Sequence, residues 1–124
     1  MGNFTFQKAE RLSREKWIKE LFQKGSYFYL HPFKVIYLIH PDPQAVFNQV
    51  LISVPARNFK KAVDRNTLKR RIRETWRLNK NQLVSDKKWL IAYIYTAKEI
   101  LPSSVIQVKL PLTFKTLMGS VDEK

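Results

Sequence analysis

Cysteine is absent from the sequence, glycine occurs only three times, and carboxylates are scarce. Without cysteine the chain has neither a disulfide framework nor a thiolate metal site. No glycine-rich loop of the kind that cradles a phosphate is visible. The ten acidic residues are scattered, whereas two-metal hydrolysis needs carboxylates that converge. We therefore expect no catalytic residue and no metal ligand on this chain.

Long apolar runs are missing as well. The longest, Trp89 to Tyr95, is far too short to cross a membrane, and the first residues lack the apolar core of a signal peptide. His31 and His40 have no metal-ligand spacing, so we expect them at the surface or in packing. These absences predict a cytoplasmic protein with no membrane partner, no cofactor held by its side chains and no obligate protein partner.

What the sequence has in excess is positive charge. Its 23 Lys and Arg residues against 10 Asp and Glu give a net charge of +13. Such a charge resists compaction, so a polyanion is the expected partner, and nucleic acid is favoured over a membrane surface. Because 44% of the 124 residues are apolar, the chain is expected to fold, as one domain over residues 1–124 with loosely ordered tails at 1–10 and 119–124.

The first half of the chain predicts a helix followed by two strands. Ser13 is placed to cap the helix and Gly25 to end it. Residues 33–40 and 47–54 are rich in β-branched and aromatic side chains, which is typical of strands. The Pro41-Asp42-Pro43 turn between them indicates a hairpin.

The second half predicts a helix, a strand and a helix. The first helix spans about residues 64–79, and residues 89–95 form a near-continuous apolar strand, which indicates burial on both faces. Ser103 or Ser104 caps the last helix, which Pro111 is expected to kink or split. Its predicted apolar positions include Val105, Val108, Leu112 and Met118. The order α-β-β-α-β-α favours an α+β fold, a small mixed sheet with helices packed on it.

Basic residues cluster in and around the long helix. Between residues 57 and 80, ten basic residues stand against Asp64 and Glu74, a net of +8 (ten minus two). At ~100° per residue, one helix face is apolar and a neighbouring arc is basic, with no carboxylate in the arc. The apolar face consists of Leu68, Ile72, Thr75 and Trp76. The arc consists of Asn66, Lys69, Arg70, Arg73 and Arg77.

This arc predicts a phosphate-binding surface, because like charges at i, i+3 and i, i+4 destabilise a helix unless an anion compensates them. A helix that is merely solvated usually carries acidic and basic residues interleaved on its exposed face. This arc has only basic and amide side chains, which argues against that interpretation. A DNA-binding regulator remains an alternative, although a helix between strands is unlike the two-helix modules that read a major groove. A ribosomal protein or a general RNA chaperone with the same basic helix also remains open.

Residues 61–74, KAVDRNTLKRRIRE, closely resemble the signature of the bacterial ribonuclease P protein, A-V-x-R-N-R-x-K-R-x-x-R-E. Thr67 stands where the family has its second arginine. Flanking patterns are also similar to the family's, so that the resemblance extends over about residues 11–101. The matching signature residues are Ala62, Val63, Arg65, Asn66, Lys69, Arg70, Arg73 and Glu74. The flanking patterns are Arg11-Leu12, Phe22-x-x-Gly25 and Ser53-Val54-Pro55-x-Arg57.

The resemblance implies the protein subunit of ribonuclease P, in which the RNA subunit is the catalyst and acts with Mg²⁺. It implies a sandwich like domain 2 of ribosomal protein S5, with a left-handed strand–helix–strand crossover. The protein would bind the RNA subunit and the 5′ leader of precursor tRNA, the leader in a cleft between the first helix and the sheet. Expected contacts to the RNA subunit are Arg65, Asn66, Lys69, Arg70, Arg73 and Arg77, with further basic contacts from Arg11, Arg57, Lys60 and Lys61. Expected cleft residues are Ile18, Phe22, Phe33 and Tyr37.

Overall fold

The structure, a computed structural model, describes residues 8–84 and 86–122. Three helices and four strands make up most of this length, together with two single-turn 3₁₀ helices, Lys8–Glu10 and Lys80–Gln82. The main elements are α1 (Glu15–Lys24), β1 (Ser26–Leu30), β2 (Phe33–Ile39), β3 (Gln49–Ser53), α2 (Ala62–Asn79), β4 (Trp89–Tyr95) and α3 (Ser103–Asp122).

The four strands form one mixed sheet in the order β1-β2-β4-β3. β1 pairs antiparallel with β2, and β2 pairs antiparallel with β4, with Phe33 opposite Tyr95. β3 pairs parallel with β4, with Gln49 opposite Leu90. Parallel neighbours need a crossover connection, and α2 supplies it here. The α+β class is confirmed, while the left hand of this crossover stays a prediction.

The hairpin predicted between residues 33–40 and 47–54 is wrong, because these residues form β2 and β3, and β4 lies between those two strands in the sheet. Six of the seven β4 residues are buried. A strand that is apolar on both faces is best placed inside the sheet, where both of its edges are paired as well. β1 was not predicted from the sequence; only Gly25 separates it from the end of α1, and Tyr27 and Tyr29 on it are exposed. The observed order is α-β-β-β-α-β-α.

Helices cover both faces of the sheet. On one face α1 packs through Leu21 against Ile36, Leu90 and Ala92. On the other face α2 and α3 enclose the larger part of the core. The central residues of that larger core are Phe33, Leu68, Ile72, Trp76, Tyr93, Ile106 and Phe114.

The ends of α1 differ in part from the prediction. Arg14, and not Ser13, occupies the N-cap, and its carbonyl accepts from the amides of Trp17 and Ile18. Gly25 does end the helix, as predicted, although its φ of −71° is open to any residue. Glycine is needed there for space, because a Cβ would lie 2.4 Å from the Leu21 carbonyl oxygen and 3.0 Å from that of Tyr37.

α3 runs from Ser103 to Asp122 through Pro111, so the proline does not split it. The helix begins one residue after Pro102, whose carbonyl accepts from the amides at 105 and 106, so the serine cap is wrong. Of the predicted apolar positions, Met118 packs against the larger core and Val105 is half-buried, whereas Val108 and Leu112 are exposed. Apolar side chains occur all around α3, so the sequence does not single out one stripe. The buried positions are Ile106, Leu110, Thr113, Phe114 and Leu117.

The predicted loose tails fall partly on residues 1–7 and 123–124, which lie outside the described residues. Of the remainder, Lys8–Glu10 form a 3₁₀ helix and α3 continues to Asp122. Glu10 is only 4% exposed, and both of its carboxylate oxygens accept from the Lys80 ammonium at 2.9 Å. This buried ion pair fastens the N-terminal segment to the end of α2.

We expect Lys80→Met to destabilise the fold by about 3–5 kcal/mol, because it removes the counter-charge of a buried carboxylate. The free energy of unfolding is measured by urea denaturation. The matched control is Lys19→Met, which removes an exposed ion pair with Glu15 and should change stability by about 0.5 kcal/mol or less. Equal stability of the two variants would contradict a structural role for the Glu10–Lys80 pair.

Candidate nucleic-acid interface

The apolar face of α2 is where the sequence predicts it. Leu68, Ile72, Thr75 and Trp76 are all buried. The Trp76 ring lies 5.6 Å from that of Phe114 and 6.3 Å from that of Tyr93, centroid to centroid, so Trp76 belongs to the core. Because this face is fixed against the sheet and α3, the neighbouring basic arc is turned outward.

The outward side of α2 carries most of the predicted RNA contacts. Asn66 and Arg70 are exposed, and Lys69 and Arg73 are half-buried. The loop before the helix adds exposed cations next to the helix N-terminus, whose unpaired amides also favour anions. We call this set the basic surface: Arg57, Lys60, Lys61, Asn66, Lys69, Arg70 and Arg73.

Arg65 has a structural contact that the sequence analysis missed. Its Nη1 donates to the carbonyl oxygens of Phe59 at 2.7 Å and of Lys60 at 2.9 Å. These bonds hold the loop that carries Lys60 and Lys61 against the first turns of α2. Arg71 has a similar role, since its Nη1 donates to the Leu101 carbonyl at 2.8 Å. A count of charges in the sequence cannot reveal backbone acceptors of this kind.

Arg77 is paired with a carboxylate that lies outside the arc, a contact that the absence of acidic residues within the arc does not reveal. Its Nη2 donates to Glu74 Oε1, one turn earlier on the helix. The hydrogen bond from Arg77 lowers the pKa of Glu74, and the same bond raises the pKa of Arg77. Residues three apart are neighbours on a helix, so Glu74 can reach the edge of the arc from outside it.

Thr67, which replaces the family's arginine, is turned toward its own helix. Its hydroxyl donates to the Val63 carbonyl at 2.9 Å, as threonine inside a helix commonly does. The basic surface therefore has a short polar side chain next to Asn66, where the family signature would place a cation.

Arg11 reaches the same region from the N-terminal segment. The Leu12 amide donates to the Val50 carbonyl at 3.0 Å, which holds this segment along the edge of β3. Arg11 and Arg73 then line one groove of about 200 Å³. The structure thus brings together two predicted RNA contacts that lie 62 positions apart in the sequence (73 minus 11).

The predicted leader cleft is only partly assembled. Ile18 is half-buried and Phe22 is 48% exposed, both on α1. Phe33 is fully buried in the larger core, and Tyr37 packs against that core, on the sheet face opposite α1. Neither residue therefore lines a cleft between α1 and the sheet. The alternation of β2 correctly places Phe33 and Tyr37 on one face, but it does not indicate which face α1 covers.

The strand residues that do face α1 are mostly aliphatic. They include Ile36 and Leu38 on β2, Leu51 on β3, and Ile94 on β4. Among residues 8–84 and 86–122, no three His, Asp or Glu side chains lie close enough together to hold a metal ion. In the same ranges, no helix is long and apolar enough to cross a membrane.

Comparison with known proteins gives one consistent result. A family model described as Ribonuclease P matches residues 6–114. The ribonuclease P protein component of Porphyromonas gingivalis is 38% identical over 82 residues, 66% of this chain and 60% of that relative. The chain thus spans less than two thirds of the length of this curated relative. The RNase P protein from Thermotoga maritima has a TM-score of 0.71 at 26% identity, and the match covers 86% of this chain and 96% of that protein. The Staphylococcus aureus RNase P protein also has a TM-score of 0.71, at 24% identity, and the match covers 89% of this chain and 96% of that protein. This likeness supports the fold.

The different burial of two phenylalanines gives a test of their placement. Phe33→Ala should lower the free energy of unfolding by about 3–5 kcal/mol, because it opens a cavity in the larger core. Phe22→Ala should cost about 0.5 kcal/mol, since that ring is already half exposed. Chemical denaturation of both variants measures the difference. A stability loss for Phe22→Ala as large as that for Phe33→Ala would return Phe22 to the core.

Proposed function

This chain belongs to the ribonuclease P protein family, and from that premise we propose that it is the protein subunit of a ribonuclease P holoenzyme. In this role it binds the catalytic RNA subunit and the 5′ leader of precursor tRNA in the cytoplasm. Cleavage then removes the leader and leaves the mature 5′ end. The chemistry belongs to the RNA subunit and its Mg²⁺, while the protein contributes binding and positioning.

The basic surface is the observation that supports this proposal most directly. Guanidinium groups such as those of Arg70 and Arg73 present several donors in a plane, which suits the phosphate oxygens of a folded RNA. An unbound chain keeps these like charges close together at an energetic cost, and a bound phosphate backbone offsets it. Asn66 adds a side chain that can both donate and accept, so it can contact a sugar or a base edge.

The α1 side of the sheet supports binding of the leader. Phe22 presents half of an aromatic side chain to solvent on α1, with Ile18 one turn before it. Bases of single-stranded RNA stack on exposed rings with little sequence preference, which suits leaders of varied sequence. Because α1 and α2 lie on opposite faces of the sheet, leader and RNA subunit would occupy separate surfaces.

We expect Arg70→Ala and Arg73→Ala each to weaken binding of the RNA subunit. Loss of one charge-assisted contact costs about 1.5–3 kcal/mol, a reduction of about tenfold or more. Each variant should also reduce the salt slope of log K by about one, because one fewer counterion is released. Filter binding of the RNA subunit across a salt series measures both quantities.

The control for these variants is Lys115→Ala, an exposed cation on α3. This variant also removes one positive charge, but from a position outside the basic surface. The affinity for the RNA subunit should therefore stay nearly unchanged. An equal loss in Lys115→Ala would mean that net charge, and not the basic surface, determines binding. A wild-type slope near zero would refute the electrostatic mode of binding altogether.

We expect the purified protein alone not to cleave precursor tRNA. Together with the RNA subunit, it should increase cleavage at low Mg²⁺, because its cations reduce the repulsion between the two RNAs. The measurement is single-turnover cleavage with protein alone, RNA subunit alone and both together. Cleavage by RNA-free protein would reverse the roles assigned to the two subunits, and absence of any effect of the protein would reject the proposed function.

A further inference from the structure

Two exposed tyrosines and a lysine form a small surface cluster on β1 and β2. Tyr27 is 60% exposed and Tyr29 is 66% exposed, on a strand at the edge of the sheet. Their ring centroids lie 5.9 Å apart with the planes at 86°. The Lys34 ammonium lies 4.8 Å from the Tyr27 ring centroid and 5.7 Å from that of Tyr29. We call Tyr27, Tyr29 and Lys34 the tyrosine patch.

The register of the strands fixes the side on which the patch lies. Tyr27 is opposite Ile36 and Tyr29 is opposite Lys34, and residues opposite each other share a face of the sheet. Ile36 packs with Leu21 beneath α1. The tyrosine patch is therefore on the α1 side, on the strand that follows directly from the end of α1.

The packing of the core does not require the two tyrosines. β1 is anchored instead by Phe28, which points to the other face, packs against the larger core and lies 5.7 Å from the Tyr37 ring. A strand that already has a partly buried anchor in Phe28 and a full ladder with β2 has no structural need for two large aromatic residues in solvent. Exposed aromatic side chains beside a cation are, however, what binding of unpaired nucleic acid uses.

We propose that the tyrosine patch is a stacking platform for unpaired RNA nucleotides, outside the cleft that Ile18 and Phe22 line. The tyrosine rings offer faces to the bases, and the Lys34 ammonium, held beside both rings, can pair with the phosphate between two stacked nucleotides. Charge favours this occupant over a second copy of the chain, because two chains of +13 repel each other. The identity of these nucleotides as part of the 5′ leader rests on the proposed function.

The test uses the holoenzyme and precursor tRNAs with leaders of about two and about ten nucleotides, since single-strand sites span several nucleotides. The variants are the double changes Tyr27→Ala/Tyr29→Ala and Tyr27→Phe/Tyr29→Phe, together with Phe22→Ala. The alanine double variant should bind the long-leader precursor about tenfold or more weakly, with affinity for mature tRNA unchanged. The phenylalanine double variant keeps both rings and should bind like wild type. Denaturation curves check that all variants are folded.

The outcomes separate the patch from the proposed function. In one outcome, Phe22→Ala weakens the leader-dependent affinity while the alanine double variant binds the long-leader precursor like wild type. The patch proposal is then overturned and the proposed function stands. If wild type does not bind the RNA subunit at all, the proposed function fails, and the patch is then tested with protein alone and a fluorescent decauridylate. Loss of that binding in the alanine double variant supports the platform, and unchanged binding overturns it.

Sedimentation of the protein alone tests the competing occupant. A wild-type dimer that the alanine double variant converts to a monomer would assign the patch to self-association and overturn the RNA platform. A wild type that stays monomeric supports it.

Discussion

The parallel pairing of β3 with β4 determines where the basic helix α2 lies. Two parallel neighbours cannot be joined by a tight turn, so the chain must leave one end of the sheet and return at the other. α2 is that connection, and its side toward the sheet is buried through Leu68, Ile72 and Trp76. Since the buried side of a crossover helix is fixed, the basic residues beside it must face outward. A folding requirement thus sets the direction of the basic surface.

The cations of this segment divide into two groups with different tasks. Arg65 and Arg71 donate to backbone carbonyls, Arg77 pairs with Glu74, and Lys80 pairs with the buried Glu10. Arg65, Arg71 and Lys80 thereby hold the loop before α2, the connection to α3 and the N-terminal segment in place, while the Arg77–Glu74 pair lies within α2 itself. The outward cations of the basic surface gain from an anion instead. Any polyanion that binds only the folded chain also stabilises it, so in the proposed role RNA binding and folding would be coupled through the same helix.

The parts of the fold that the sequence predicts are those encoded by local periodicity. The apolar face of α2 follows from the 3.6-residue repeat. β4 follows from an apolar run, and the strand begins at residue 89 and ends at residue 95, as predicted. The residues of β2 and β4 that pair are at least 50 positions apart in the sequence, so the nearby turn signal indicated the wrong neighbour for β2. In the same way, alternation groups Phe33 with Tyr37, but only the positions of α1, α2 and α3 decide which face is buried.

The two faces of the sheet meet at the edge of β3, where Arg11 and Arg73 line one groove. Arg73 comes from α2 on one face, and Arg11 precedes α1, which covers the other. In the proposed role the RNA subunit lies on the α2 side and unpaired RNA lies on the α1 side, so the sheet separates two polyanions. The groove is the place where cations from both sides come together, and a phosphate backbone bound there interacts with both. The proposed role thus gives a physical reason for a high net charge on a small chain, because one sheet would compensate negative charge on each of its faces.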